Sequence, residues 1–186
     1  MNLITFRFPD LSYIKKDSER ENKEKTWQDR FRTWGFNPTA SINFDDQTLQ
    51  SVILPGVIPD DESAKLLVKW ADILGAFLAE NLTTSQIRAI FGEVRQIQGQ
   101  LRVSQVSNDG TFNSEKPWTR LRLLIPKMQY RKEKEKGQGV KNLVKVLEPA
   151  VKLVVDGDSS KRAERFERFV NFFEAILAYH KAYGGN

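Results

Sequence analysis

The chain contains no cysteine, one histidine, and no apolar run near the roughly 18 residues that a membrane helix requires. Without cysteine there is no disulfide, no thiolate zinc site and no cysteine nucleophile. Absence of disulfides fits a reducing compartment, and a cytoplasmic location is expected. The start, Met1-Asn2-Leu3-Ile4-Thr5-Phe6, lacks a basic stretch ahead of a long apolar core, so a secretory signal is not expected. The lone imidazole, His180, has neither a second histidine nor a thiol to work with. It falls in the last turn of a predicted helix, where an imidazolium suits the dipole and can meet end carbonyls. A structural role is therefore expected for it. Asp156-Gly157-Asp158 lacks the rest of a calcium loop, and Gly137-Gln138-Gly139 is too short to cradle a phosphate. No catalytic residue, metal or cofactor is expected.

What the chain does have is an uneven distribution of charge. Its 186 residues carry net +5, with a pI near 9.4. Residues 1–62 hold 8 basic and 11 acidic side chains, net −3, whereas residues 86–136 hold 11 and 5, net +6. A local basic excess is the expected footprint of a phosphate-backbone partner.

The first 58 residues read differently from the rest. Ile4, Phe6 and Phe8 alternate with polar residues and suggest a short strand before Pro9. Residues 15–32 are dense in mixed charge, the mark of either disorder or a solvated helix. Trp27, Phe31 and Trp34, spaced by four and three, favour helix there. Gly35 to Pro59 is loop-like, with turn signals at Asn37-Pro38 and Pro55-Gly56. Residues 1–58 are thus expected to be a partly disordered or loop-rich N-terminal extension, and residues 59–186 a helical bundle domain.

Five amphipathic helices are predicted in that domain. The first spans about 62–80, capped by Asp60 or Asp61, with Leu66, Trp70, Ile73, Leu74 and Phe77 as its apolar stripe. The second opens on Thr83 and Gln86, the spacing of a capping box, and continues through Ile87, Ile90, Phe91, Val94, Ile97 and Leu101. Asn108-Asp109-Gly110 breaks the pattern. The third covers about 115–131, with Pro126 expected to kink or split it. The fourth covers 140–155, bent at Pro149. The fifth covers 160–183, capped by Asp158 or Ser159 and ended by Gly184. Phe166, Phe169, Val170, Phe173, Ile176 and Leu177 make its buried face; Phe172, Tyr179 and Tyr183 fall off that face, where a partner protein can meet them. The fold class is all-α, a compact bundle of about five helices.

Binding is better supported than catalysis. Arg88, Arg95 and Arg102 are seven apart, one stripe beside the apolar face of the second helix. Regular arginines on a rigid helix suit successive phosphates; the alternative is that they cover a core edge and pair with Glu93 or neighbours. A second cluster comprises Arg120, Arg122, Lys127, Arg131 and Lys132, with Tyr130 among them. Basic residues around an aromatic suit nucleic acid, because the ring can stack on a base, unless Tyr130 simply packs the bundle.

Three blocks in order carry a family resemblance. They are Thr83 to Arg88, the run Leu123-Leu124-Ile125-Pro126-Lys127-Met128-Gln129-Tyr130, and the ending from Glu174 to Gly185. Over roughly residues 62–186 the chain resembles the small, all-helical subunit of the type III-A CRISPR–Cas effector, the Csm complex. The resemblance implies a non-catalytic subunit in antiviral defence, several copies of which stack along the effector filament against other CRISPR effector subunits. It also implies contact with the guide–target RNA duplex, chiefly the target strand, through its backbone, and no membrane association. From the residues alone, a helical protein–protein adaptor or dimerisation module with an incidental basic surface remains the alternative; salt-sensitive RNA binding separates the two.

Overall fold

The computed structural model describes residues 2–6, 17–37, 41–106, 115–135 and 137–186. The chain divides into two compact units, residues 1–45 and 46–186.

The first unit contains strand β1 (Asn2–Phe6), helix α1 (Asp17–Thr33) and strand β2 (Ile42–Asp45). The strands pair antiparallel with Ile4 opposite Phe44 and Phe6 opposite Ile42. Phe8 lies outside the described residues. The charged run is helical, and Phe31 on its aromatic face is buried. Gly35 ends α1 with φ of 74°, and the amide of Phe36 bonds back to the carbonyl of Phe31 at 2.8 Å, a Schellman ending that needs the glycine's freedom.

Among its described residues the second unit holds six α-helices packed as a bundle: α2 (Asp46–Ile53), α3 (Asp60–Ala79), α4 (Thr84–Val106), α5 (Glu115–Lys134), α6 (Gln138–Val155) and α7 (Arg162–Ala182), with a 3₁₀ turn at Ser159–Lys161. The five expected helices are α3 to α7. Helix α2 corrects the loop reading of Gly35 to Pro59. It buries Leu49, Val52 and Ile53 and packs against α3, α6 and α7. Eight residues between turn signals hold too few apolar repeats to announce a helix; tertiary burial makes it.

Local signals placed the helix ends with two exceptions. The capping box forms reciprocally: the amide of Thr83 donates to Gln86 Oε1 at 2.9 Å, and the amide of Gln86 to Thr83 Oγ1 at 3.2 Å. Asp158 accepts from the amide of Ser160 at 2.9 Å, but it caps the 3₁₀ turn, and α7 itself starts after Lys161 without a side-chain cap. The other exception is α3, whose N-cap is Pro59 without a side-chain cap. Asp60 pairs instead with Arg168 of α7. Pro126 does not split α5, which runs unbroken from 115 to 134, nor does Pro149 interrupt α6. Each proline removes the donor to the carbonyl four residues back, on Arg122 and Lys145. Both of those residues are exposed, so water can replace the lost donor.

Helices α3 and α7 form the most extensive pair. They approach closely at Gly75, where an added Cβ would stand 2.5 Å from Tyr179 Cβ and 2.8 Å from the amide nitrogen of His180. Because α7 also meets α2, α4 and α6, it is buried on more than its apolar stripe. This corrects the reading of Phe172, which is fully buried; Tyr183 and Tyr179 stay half-exposed, Tyr183 donating to Asp72 of α3 and Tyr179 stacking on it with centroids 6.1 Å apart. Edge-to-face rings tie α7 to its neighbours, Phe173 to Phe91 of α4 at 5.1 Å and Phe166 to Trp118 of α5 at 5.8 Å.

Candidate nucleic-acid interface

Helix α4 is positioned from its first turn. His180 of α7 is wholly buried, and its Nε2 lies 2.7 Å from the carbonyl oxygen of Leu82. A carbonyl only accepts, so Nε2 carries the proton. The histidine thus binds the turn before α4, and not the end carbonyls of its own helix. The ring packs under Gly185, where a Cβ would sit 2.1 Å from it. Thr84 then donates from its amide to Asn186 O at 2.5 Å and from Oγ1 to Gly185 O at 2.9 Å. His180 thus holds the entrance of α4 to the exit of α7.

Helix α5 packs beside α4 and carries cations on both flanks. On the α4 flank, Glu93 receives Lys127 Nζ at 3.0 Å and Arg120 Nη2 at 3.3 Å, and Arg120 also donates to Gln96. The hydrogen bond from Lys127, reinforced by Arg120, holds the Glu93 carboxyl below its ordinary range. The clasp therefore persists above that range and is lost as pH falls through the lowered value, releasing both cations. Arg131 pairs with Glu135 at 3.1 Å.

On the α6 flank, Arg122 donates to Val155 O at 3.2 Å, a cation on the last turn of α6, and Lys132 donates to Gln129 at 3.3 Å. These two are separated from the Glu93 cluster by the width of the helix. The α4 stripe is exposed throughout. Arg95 leans toward α7, 3.9 Å from Glu174 and 5.9 Å above the Phe91 ring, and bonds Gln98 at 2.8 Å. Arg88 and Arg102 have no ion-pair partner among the described residues. Of the alternative reading, pairing with Glu93 or neighbours, Arg95 meets neighbours in Glu174 and Gln98, whereas Glu93 is taken by the cations of α5.

Tyr130 is 64% exposed and so does not pack the bundle. Lys134 Nζ lies 5.6 Å from its ring centroid. Two residues were missed from sequence, Lys134 and Leu123, which is 53% exposed; Glu93 was named as a counter-ion, but for the cations of α4 and not those of α5. The signal was available, since Leu123, Lys127, Tyr130 and Lys134 follow at spacings of four, three and four, one solvent-facing stripe. A groove of about 640 Å³ runs beneath it between α4 and α5.

Among the described residues no helix is long and apolar enough to cross a membrane, and no cluster of three His, Cys, Asp or Glu is placed to hold a metal ion. A helical bundle with its one imidazole buried inside belongs to the class of small all-helical proteins. A family model described as Csm2 Type III-A matches residues 61–186, and the chain belongs to that family. It is a small subunit of a type III-A CRISPR effector complex. No curated protein and no solved structure matches the chain.

Proposed function

We propose that the subunit lies along the guide–target RNA duplex in its effector complex and contacts chiefly the target-strand backbone, with copies of itself stacked beside it and other effector subunits around it. The observation that carries this reading is the packing of α4 against α5, which sets two cation-bearing helices side by side. Arg88, Arg95 and Arg102 supply one row; Arg120, Lys127 and Arg131 supply the other, with Arg122 and Lys132 on the far flank. Phosphate contact from such rows is indifferent to sequence, which base pairing already reads. The protein works in the cytoplasm, where its RNA partners are.

RNA affinity should therefore fall with salt, and each lost phosphate contact should lower the log–log slope by about 0.7 on single-stranded RNA. Arg88→Ala/Arg95→Ala and Lys127→Ala/Arg131→Ala are each expected to flatten that slope. Glu93→Gln should steepen it, because two cations leave their internal counter-ion. Avidity along a filament multiplies a weak single contact, so the titrations are made on the free subunit and on the assembled complex. If neither alanine pair moves affinity or slope in either setting, the adaptor reading stands instead.

The subunit itself should cut nothing. Its only histidine is sealed within the core. Incubation of the pure protein with labelled RNA and Mg²⁺ or Mn²⁺ should leave the RNA intact; cleavage that follows the protein through successive purification steps overturns the claim.

A further inference from the structure

We infer that the groove between α4 and α5 is a slot for one unstacked nucleobase of single-stranded RNA, with Tyr130 as its stacking wall. The inference rests on the RNA reading above and adds a contact of different chemistry, to a base and not to the backbone. The groove's floor is apolar, made by Ala89 and Ile90 of α4 with Leu124 and Met128 of α5. Leu123 and Tyr130 stand at its edge, two of the few large apolar side chains left exposed among the described residues. Lys127, Arg131 and Lys134 line the same groove, with Glu93 and Glu135 as the acidic members.

A flat aromatic ring offered to solvent over an apolar floor, with cations at the rim, matches the two halves of a nucleotide: base to ring and floor, phosphate to cations. The volume, about 640 Å³, lies within the range of small-ligand sites. A protein partner fits less well. A stable protein interface needs about 800 Å² from each side and a core depleted of charge, whereas this groove offers two exposed apolar side chains ringed by five charged ones. Lys134 Nζ lies 5.6 Å from the Tyr130 ring centroid, so a stacking base takes the place of this cation on the ring.

The test compares an oligouridylate with an abasic ribose-phosphate oligomer of equal length, at several salt concentrations. Wild type should bind the base-bearing oligomer about tenfold more tightly at a similar salt slope. Tyr130→Ala should abolish that preference without changing the slope, and Tyr130→Phe should keep it. A single 2-aminopurine placed in the RNA should be quenched by wild type and by Tyr130→Phe, but not by Tyr130→Ala. Tyr130 is largely exposed, so the variants should melt as wild type does. Equal binding of the two oligomers, binding of neither at low salt, or full binding by Tyr130→Ala overturns the slot. If Tyr130→Ala instead leaves RNA binding intact and blocks assembly with other effector subunits, the groove is a protein contact and the slot is wrong. Wherever RNA still binds, a slope flattened by Lys127→Ala/Arg131→Ala upholds the backbone reading while the slot fails; binding of neither oligomer overturns both.

Discussion

Gly75→Ala is expected to destabilise the bundle by about 3 kcal/mol and to lower its melting temperature by roughly 6–12 °C. One methyl group produces so large an effect because of what it meets. The new Cβ would stand 2.5 Å from Tyr179 Cβ, 2.8 Å from the amide nitrogen of His180 and 3.0 Å from the carbonyl oxygen of Ile176. Two of these are backbone atoms, so no rotamer change relieves the contact and α7 must move away from α3. That movement would withdraw His180 from Leu82 and slacken the hold on the first turn of α4. Gly92 and Gly99 of α4 are the matched controls, since an added Cβ meets nothing within 4 Å at either. Alanine there should stabilise by about 0.5–1 kcal/mol per site, the ordinary gain over glycine inside a helix. Thermal melts of the three single variants decide the matter; a Gly75→Ala protein that melts with wild type would show that α3 and α7 are not held at this distance.

Removing residues 1–45 should leave a cooperatively melting helical bundle, whereas removing residues 1–58 should cost about 5 kcal/mol or more. The two truncations differ by α2 and the turn after it. Leu49, Val52 and Ile53 are buried, and the partners of α2 are α3, α6 and α7, all within residues 46–186. Burial of a large aliphatic side chain stabilises by about 1.5–3 kcal/mol, against a total stability of about 5–15 kcal/mol for a domain. Loss of three approaches that total and uncovers apolar faces on three other helices. Circular dichroism during thermal and urea unfolding of both truncations makes the comparison. Leu49→Ala and Ile53→Ala in the full chain, each expected to cost about 2–5 kcal/mol, guard against a truncation artefact. A stable chain starting at residue 59 would reduce α2 to an ornament on the bundle.

The sequence was most legible where one segment carries its own signal. The capping box at Thr83 and Gln86, the glycine stop at Gly184 and the 3.6-residue stripes of α3 to α7 all act over a few residues. These local terms need no knowledge of neighbours, so five helices and the all-α class could be read directly. The cation stripes were readable for the same reason, since spacing alone puts Arg88, Arg95 and Arg102 on one face.

Contacts between distant segments were decided only by tertiary structure. The two end blocks of the family resemblance, Thr83 to Arg88 and Glu174 to Gly185, lie almost a hundred residues apart. In space they join through His180 to Leu82 and Thr84 to Gly185. Nothing in either block alone announces the other, because an isolated histidine in a last helical turn looks the same whether it faces water or a carbonyl. Phe172 was misread for a related reason: helical period locates one buried face, and α7 has neighbours on several. The sequence by itself determined that the chain is a helical bundle with a basic middle third. Packing determined which cations Glu93 clasps and which aromatic, Tyr130, faces outward, because those outcomes depend on the helices that settle alongside.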